Sequence, residues 1–152
     1  MEHLSKFIKQ FRQIQPKFSR LYTRLLSQAG LTQPQYAVLL ELVQSAPEPM
    51  TMTAISCKLY ITKPAVTNLV DRLEKKGFLK RLDHPQDRRI SLLQIQPLGE
   101  KIVKKMQAEF LDLIRQTAKQ FSSVERDTVQ KFYAVLSKRL DEELSCPKEA
   151  RR

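Results

Sequence analysis

The side chains best suited to binding another molecule lie between residues 62 and 90. The first turn of a predicted helix carries hydroxyls, an amide and an ammonium group, namely Thr62, Thr67, Asn68 and Lys63. Such groups reach base edges and phosphates in nucleic acids. A basic turn follows with Arg88 and Arg89 beside Asp87, and arginine is the side chain that narrow minor grooves attract. The alternative is an ordinary solvated helix face, which any surface helix would show.

Residues that could support catalysis are sparse. His3 and His84 are the only histidines, and three glycines leave no phosphate-binding loop. Cys57 and Cys146 are 89 positions apart, so two reduced thiols are expected rather than a structural disulfide or a zinc site. The sequence therefore predicts no enzyme, no metal site and no cofactor.

The charge of the chain points to a polyanionic partner. The 152 residues include 27 Lys and Arg and 16 Asp and Glu, which give a formal net charge of +11 and a pI near 9.9. Nucleic acid and an anionic membrane surface both fit this charge. No apolar run is long enough for a membrane span or a secretory signal, so a cytoplasmic protein without a membrane partner is expected. Residues 58–90 carry +5, but residues 1–36 carry +5 as well.

Apolar spacing of three and four predicts six helices around one hairpin. The first runs to Gly30, with a kink or a fresh start expected at Pro16. Two helices follow, one short, and Thr62 caps the next, which Gly77 ends. "FLKRLD" and "RISLLQIQ" predict two strands around "HPQD", with a bulge at Leu92-Leu93. Two long helices complete the chain, and Ser122 or Ser123 caps the second.

This element order is that of a winged helix-turn-helix, a mainly α fold with a small β-hairpin. In that fold the second helix of the motif enters the DNA major groove, and the hairpin contacts the backbone or a neighbouring groove. The first helix and the last two present more apolar surface than the small lobe can cover. A two-fold dimer is the commonest way to bury such faces. The alternative is that they pack on their own chain.

Three blocks resemble the multiple antibiotic resistance regulator (MarR) family: "LTQPQYAVLLEL", "MTAISCKLYITKPAVTNLVDRLEKKGFLKR" and "HPQDRRISLL". The resemblance covers about residues 31–100. It implies a single domain over 1–152, with dimerisation helices in 1–30 and 97–145 and a DNA-binding lobe in 33–96. The implied function is a homodimeric transcription factor, usually a repressor, that binds a palindromic operator.

The resemblance also implies roles for single residues. Its recognition helix carries Thr62, Lys63, Pro64, Thr67, Asn68 and Arg72. Arg89 matches the arginine that enters the minor groove, with Arg88 beside it. Asp87 matches an aspartate that pairs with arginine, and Arg72 is the candidate partner here. Gln96 stands where the family has a good helix cap, which leaves the start of the fifth helix uncertain.

The signal that would release DNA is less defined. The resemblance implies a small-molecule effector, such as an aromatic acid or a phenol, between the dimer helices and the lobe, or an oxidant sensed by cysteine. Phe18, Arg20, Tyr22 and Tyr36 could line such a pocket, although aromatics at this spacing are more often core. Cys57, next to Lys58, is the redox candidate. Two rival functions are a winged-helix adaptor or antagonist that binds protein, and a basic peripheral membrane protein.

Overall fold

A computed structural model describes residues 2–87 and 89–144. Within them the chain forms six helices and three strands, so the expected mainly α fold with a small sheet is confirmed. In chain order the elements are α1 (Glu2–Gln28), α2 (Gln33–Ser45), β1 (Met50–Thr51), α3 (Met52–Leu59), α4 (Lys63–Lys75), β2 (Leu79–Asp83), β3 (Ser91–Ile95), α5 (Pro97–Ala118) and α6 (Ser123–Glu143).

Side-chain caps define where the helices begin. The hydroxyls of Thr51 and Thr62 accept from backbone N–H groups three residues on, at 3.0 and 3.4 Å, so two orphan donors are satisfied. Ser122 forms a reciprocal capping box with Glu125 at the start of α6. Gln96 precedes α5 without a side-chain cap bond, and the helix still begins at Pro97. The predicted caps at Thr62 and Ser122 are thus confirmed.

The sheet differs from the predicted two-stranded hairpin. β3 lies between β1 and β2, and both pairings are antiparallel. The β2–β3 register runs without interruption from Leu79 opposite Ile95 to Asp83 opposite Ser91, so the predicted bulge at Leu92-Leu93 is wrong. Leu93 is fully buried. The two-residue strand β1 was missed because a strand so short shows no periodicity.

The first helix is continuous through Pro16, so the fresh start expected there is wrong. Proline removes one backbone bond and crowds the carbonyl four residues earlier. Both Pro16 and Arg12 are exposed, so water can satisfy the carbonyl of Arg12. The long helix therefore tolerates the missing bond.

The core lies in the winged lobe. It is built from α2, α3, α4 and the sheet, and α1 and α5 each reach it with one end. Leu26 at the end of α1 and Val103 and Met106 in α5 are buried there, whereas α6 buries none of its side chains. Gly99 lets α5 approach β2, since a Cβ there would collide with the carbonyl oxygen of Phe78. None of the described helices is long and apolar enough to cross a membrane.

Candidate nucleic-acid interface

Helix α4 has one buried face and one exposed polar face. Val66, Val70 and Leu73 are fully buried and fix the helix on the lobe. Lys63 is half-buried. The other predicted contact residues of the helix are exposed: Thr62, Pro64, Thr67, Asn68 and Arg72. The structure therefore places the six candidate side chains along one accessible helix, as the apolar spacing predicted.

Two neighbouring side chains of α4 differ in what they can offer a ligand. The Thr67 hydroxyl donates to the Lys63 carbonyl at 3.1 Å, so it can only accept from a ligand. Among the described residues, the Asn68 amide has no hydrogen bond, which leaves both its donor and its acceptor available. An amide presented in this way matches the N6 and N7 edge of adenine.

The turn between α3 and α4 is held by unusual local contacts. Tyr60 ends α3 with φ +54°, a left-handed conformation that side chains rarely adopt. Its hydroxyl donates to Asp141 Oδ1 of α6 at 3.2 Å. The buried Ser56 hydroxyl donates to the Ile61 carbonyl at 2.5 Å. The turn that precedes α4 is thus held by the buried Ser56 hydroxyl, and it also contacts α6 through Tyr60.

The wing turn, residues 84–90 between β2 and β3, is ordered by one carboxylate. Asp87 Oδ1 accepts from the backbone N–H of Arg89 at 2.9 Å and from its Nε at 3.2 Å. The backbone bond, and then the side-chain bond, lower the pKa of Asp87 below its ordinary value. The Arg89 side chain is 92% exposed, and it bonds Asp87 through Nε. Arg88 lies outside the described residues.

The expected pairing of Asp87 with Arg72 is wrong. Asp87 pairs instead with Arg89, two residues later in the same turn, because that contact does not require distant parts of the chain to come together. Arg72 is exposed and forms no ion pair among the described residues. Its guanidinium therefore remains available to a ligand.

A different arginine joins the helix to the wing. Arg81 on β2 donates from Nη2 to Asp71 Oδ1 at 2.6 Å and from Nη1 to Glu74, both on α4. Its backbone N–H also donates to Glu74 Oε1 at 3.0 Å. Burial lowers the pKa of Arg81, but the hydrogen bond to Asp71 and the two carboxylate charges outweigh burial and raise the pKa. Arg81 thus holds β2 against α4, and its charge is used within the chain instead of being available to a ligand.

Sequence reasoning counted Arg81 only as part of the net charge. Its partners are seven and ten residues earlier, on a helix, and the intervening turn at Gly77 decides whether they meet. The one available signal was the pair of acids at 71 and 74, three apart on a helix and thus on one side. That signal alone does not name the partner.

The prediction of reduced thiols is wrong for Cys57, which is disulfide-bonded. Separation along the chain misled the prediction, because residues far apart in sequence can lie close together in the fold, as Tyr60 and Asp141 do. Cys146 lies outside the described residues. Lys58, next to Cys57, pairs with Glu41 at 2.8 Å. The described residues contain no cluster of His, Cys, Asp or Glu suited to a metal ion.

An aromatic groove lies where α1 meets α5. It has a volume of about 240 Å³ and is lined by Phe18, Ser19, Tyr22, Gln33 and Phe110. Burial, and then the neighbouring Tyr36 hydroxyl, raise the pKa of Tyr22 well above its ordinary value. Arg20, which is exposed, and Tyr36, which is buried, do not line the groove, and this corrects the expectation for both residues. Helical spacing put Arg20 on the opposite side of α1 from Phe18 and Tyr22.

Comparison with known proteins agrees with this geometry. A family model described as "MarR family" matches residues 31–91, which hold the elements from α2 to β2 and the turn up to the start of β3. The regulator YsmB of Bacillus subtilis is 27% identical over 82% of this chain and 84% of its own length. The transcriptional repressor MprA of Escherichia coli is 23% identical over 85% of this chain and 73% of its own length.

Solved structures share the fold. The S. aureus MepR–DNA complex superposes with a TM-score of 0.72 at 24% identity, covering 88% of this chain and 96% of MepR. A MarR family transcription regulator, SP03579, gives a TM-score of 0.80 at 19% identity, covering 93% of this chain and 92% of that protein. These likenesses establish the winged helix-turn-helix fold.

Proposed function

We propose that this chain is a MarR family winged helix-turn-helix regulator that represses transcription by binding a palindromic operator as a homodimer, since residues 31–91 match the family model and a relative named as an HTH-type transcriptional regulator aligns with most of the chain. In this proposal the chain is a regulator and not an enzyme. The relative MprA is named a transcriptional repressor, and MepR binds DNA in its complex. In this proposal residues 33–96 are the DNA-binding lobe, and 1–30 with 97–145 form the dimer; residue 145 is outside the described residues.

The observation that carries the proposal is the clamp of Arg81 on Asp71 and Glu74. It joins β2 of the wing hairpin directly to α4, the helix with the exposed polar face. A helix and a hairpin fixed in this way can contact a major groove and an adjacent minor groove together. In the proposed complex Asn68 and Arg72 contact bases, Thr62, Lys63, Pro64 and Thr67 contact bases or backbone, and Arg89 enters the minor groove with Arg88 near it.

Exposed apolar side chains support the homodimer. On α6, Val129, Tyr133 and Leu140 are 44%, 59% and 49% exposed, and on α1 Leu4 is 65% exposed. Monomers rarely expose contiguous apolar surface of this extent. Two-fold pairing would cover these faces and place two lobes about one helical turn of DNA apart.

The aromatic groove supports a small effector. Its lining is mostly aromatic, and it lies between α1, α5 and the start of α2. At about 240 Å³ it is smaller than sites for drug-sized ligands, which are roughly 300–1,000 Å³. A single-ring aromatic acid or phenol is the class that fits. The disulfide at Cys57 supports an oxidant as the other signal, since disulfides in DNA-binding proteins of reducing compartments are commonly redox sensors.

Fluorescence anisotropy tests the function. The parent protein, Arg89→Ala and Arg115→Ala are titrated against a duplex from the gene's own upstream region and a scrambled duplex, at several salt concentrations. Arg115 is an exposed arginine of α5 and serves as the matched control. We expect the parent to prefer the upstream duplex. Arg89→Ala should bind roughly tenfold more weakly, with a salt slope smaller by about 0.9.

Equal binding of both duplexes by the parent would contradict sequence recognition. Binding that did not respond to salt at all would favour the adaptor function, in which the lobe contacts protein. Equal losses for Arg89→Ala and Arg115→Ala would mean that Arg89 acts only through its charge and that the wing does not enter the site.

A further inference from the structure

Helix α1 carries a row of cations that the proposed operator contacts do not use. Lys6, Lys9, Lys17, Arg20 and Arg24 follow spacings of three, eight, three and four, which place them on one helical face. We call this row the α1 basic stripe. All five residues are exposed. At 1.5 Å per residue the stripe is about 27 Å long.

The stripe is not neutralised by its own chain. Among the described residues, none of its five side chains forms an ion pair. Glu2 is the only acid in the first 40 residues, so no carboxylate alternates with these cations along α1. On α5, by contrast, Lys104 pairs with Glu100 at 2.6 Å. The row of unpaired positive charge is therefore a property of α1.

Part of the apolar side of α1 packs on the chain itself, and the exposed remainder, such as Leu4, lies in the proposed dimer interface. Phe18 and Tyr22 pack on Phe110 of α5, with ring centroids 6.0 and 5.5 Å apart, and Phe7 packs on Phe132 of α6 at 5.2 Å. An interfacial membrane helix needs its apolar face to enter the lipid. This helix can offer only its charged side, which favours a contact made by charge alone.

The stripe is also separated from the first turn of α4, residues 62–68, which carries the proposed base contacts. We call this segment the readout turn and the surface around it the readout site. The end of α1 meets the rear of α4, where Lys76 Nζ donates to the Gly30 carbonyl at 2.5 Å. The readout turn is at the other end of α4, about 20 Å away for a 13-residue helix. A duplex in the readout site therefore does not run along α1.

We propose that the α1 basic stripe is a second nucleic-acid contact, which binds a duplex segment other than the one in the readout site. Duplex DNA carries one negative charge per about 1.7 Å of its axis, a linear density that suits a straight row of cations. About 27 Å corresponds to roughly eight base pairs. The inference rests on the proposed function, because operator binding brings neighbouring DNA to high local concentration.

The stoichiometry of DNA per dimer tests this proposal. Sedimentation of fluorescently labelled 20-base-pair duplexes is measured with the parent, with Lys6→Gln/Lys9→Gln/Lys17→Gln, and with Lys119→Gln/Lys131→Gln/Lys138→Gln. The control removes three exposed lysines elsewhere. The parent and the control should bind at least two duplexes per dimer at low salt, and the stripe variant only the one in the readout site. In the parent and the control, binding of the additional duplex should weaken steeply as salt rises, because it depends on phosphate contacts.

The outcomes separate this inference from the proposed function. A parent that binds one duplex per dimer, or a stripe variant with unchanged stoichiometry, would overturn the inference while sequence preference in anisotropy still supported the repressor. If the parent showed no sequence preference but still bound a duplex that depended on the stripe, the inference would be supported and the repressor function would be overturned. Binding of vesicles with 30% phosphatidylserine is measured as a second test. If the stripe were needed for binding vesicles but not for binding duplex, the inference of a second nucleic-acid contact would also be overturned. Thermal unfolding confirms that each variant is folded.

Discussion

At the tip of the wing, a single carboxylate determines where a guanidinium points. Asp87 holds both the backbone N–H and the Nε of Arg89, so the arginine is oriented before any ligand arrives. An orientation present in advance reduces the ordering that binding would otherwise require. In the proposed complex Asp87 would therefore assist binding by orienting Arg89, although it has the same charge sign as phosphate.

The lowered pKa of Asp87 gives this contact a defined pH dependence. Because the carboxylate is stabilised in the folded wing, the contact is complete above the ordinary aspartate pKa of about 4 and is lost as pH falls through the lower folded value. The amide resonance of Arg89, followed by NMR, should therefore shift with a midpoint below about 4. In Asp87→Asn the transition should be absent. A midpoint at or above the ordinary carboxyl value would contradict the contact.

Among the elements, the junction of α5 with the sheet depends on one residue without a side chain. In Gly99→Ala the new Cβ would meet the Phe78 carbonyl oxygen, which is backbone and cannot rotate away. We expect a loss of roughly 2–3 kcal/mol in the free energy of unfolding. Gly77→Ala is the comparison, because nothing lies within 4 Å of its added Cβ and only φ +70° opposes it. It should lose about 1 kcal/mol.

Urea denaturation measures both variants against the parent. A smaller loss in Gly99→Ala than in Gly77→Ala would mean that α5 can move away from β2 without penalty. The junction would then not be a fixed part of the lobe.

Sequence could predict the elements whose signals are local. The spacing at Val66, Val70 and Leu73 and the cap at Thr62 fixed the bounds and the buried face of α4, and the exposed candidate residues followed from them. Contacts that depend on three-dimensional closure could not be predicted. Arg81 with its two acids and Tyr60 with Asp141 each join elements whose relative position no spacing encodes, and the disulfide at Cys57 has no local signal either.

For the whole molecule, the apolar faces of α1, α5 and α6 make assembly testable. Val129→Glu places a charge in the exposed apolar face of α6, where burial in a dimer would penalise it by several kcal/mol. Light scattering at micromolar protein should show the mass of a dimer for the parent and of a monomer for this variant. Gln130→Glu adds the same charge one residue away, on another side of the helix, and should remain a dimer.

Operator affinity should fall with the dimer in Val129→Glu, since one lobe alone holds half of the contacts. If Val129→Glu kept the dimer mass, α6 would not lie in the interface. The apolar face would then need another occupant.

The contact between Lys76 and the Gly30 carbonyl ties the rear of the recognition helix to the end of a 27-residue rod. If α1 forms part of the dimer interface as proposed, the distance between the two copies of α4 is set by this helix and is therefore constant. Inserting one base pair between two intact half-sites would move them about 3.4 Å and turn them by a tenth of a helical turn. Such an operator would keep every base that the proposed dimer contacts and should still bind poorly, because its half-sites would no longer match the spacing of the two helices.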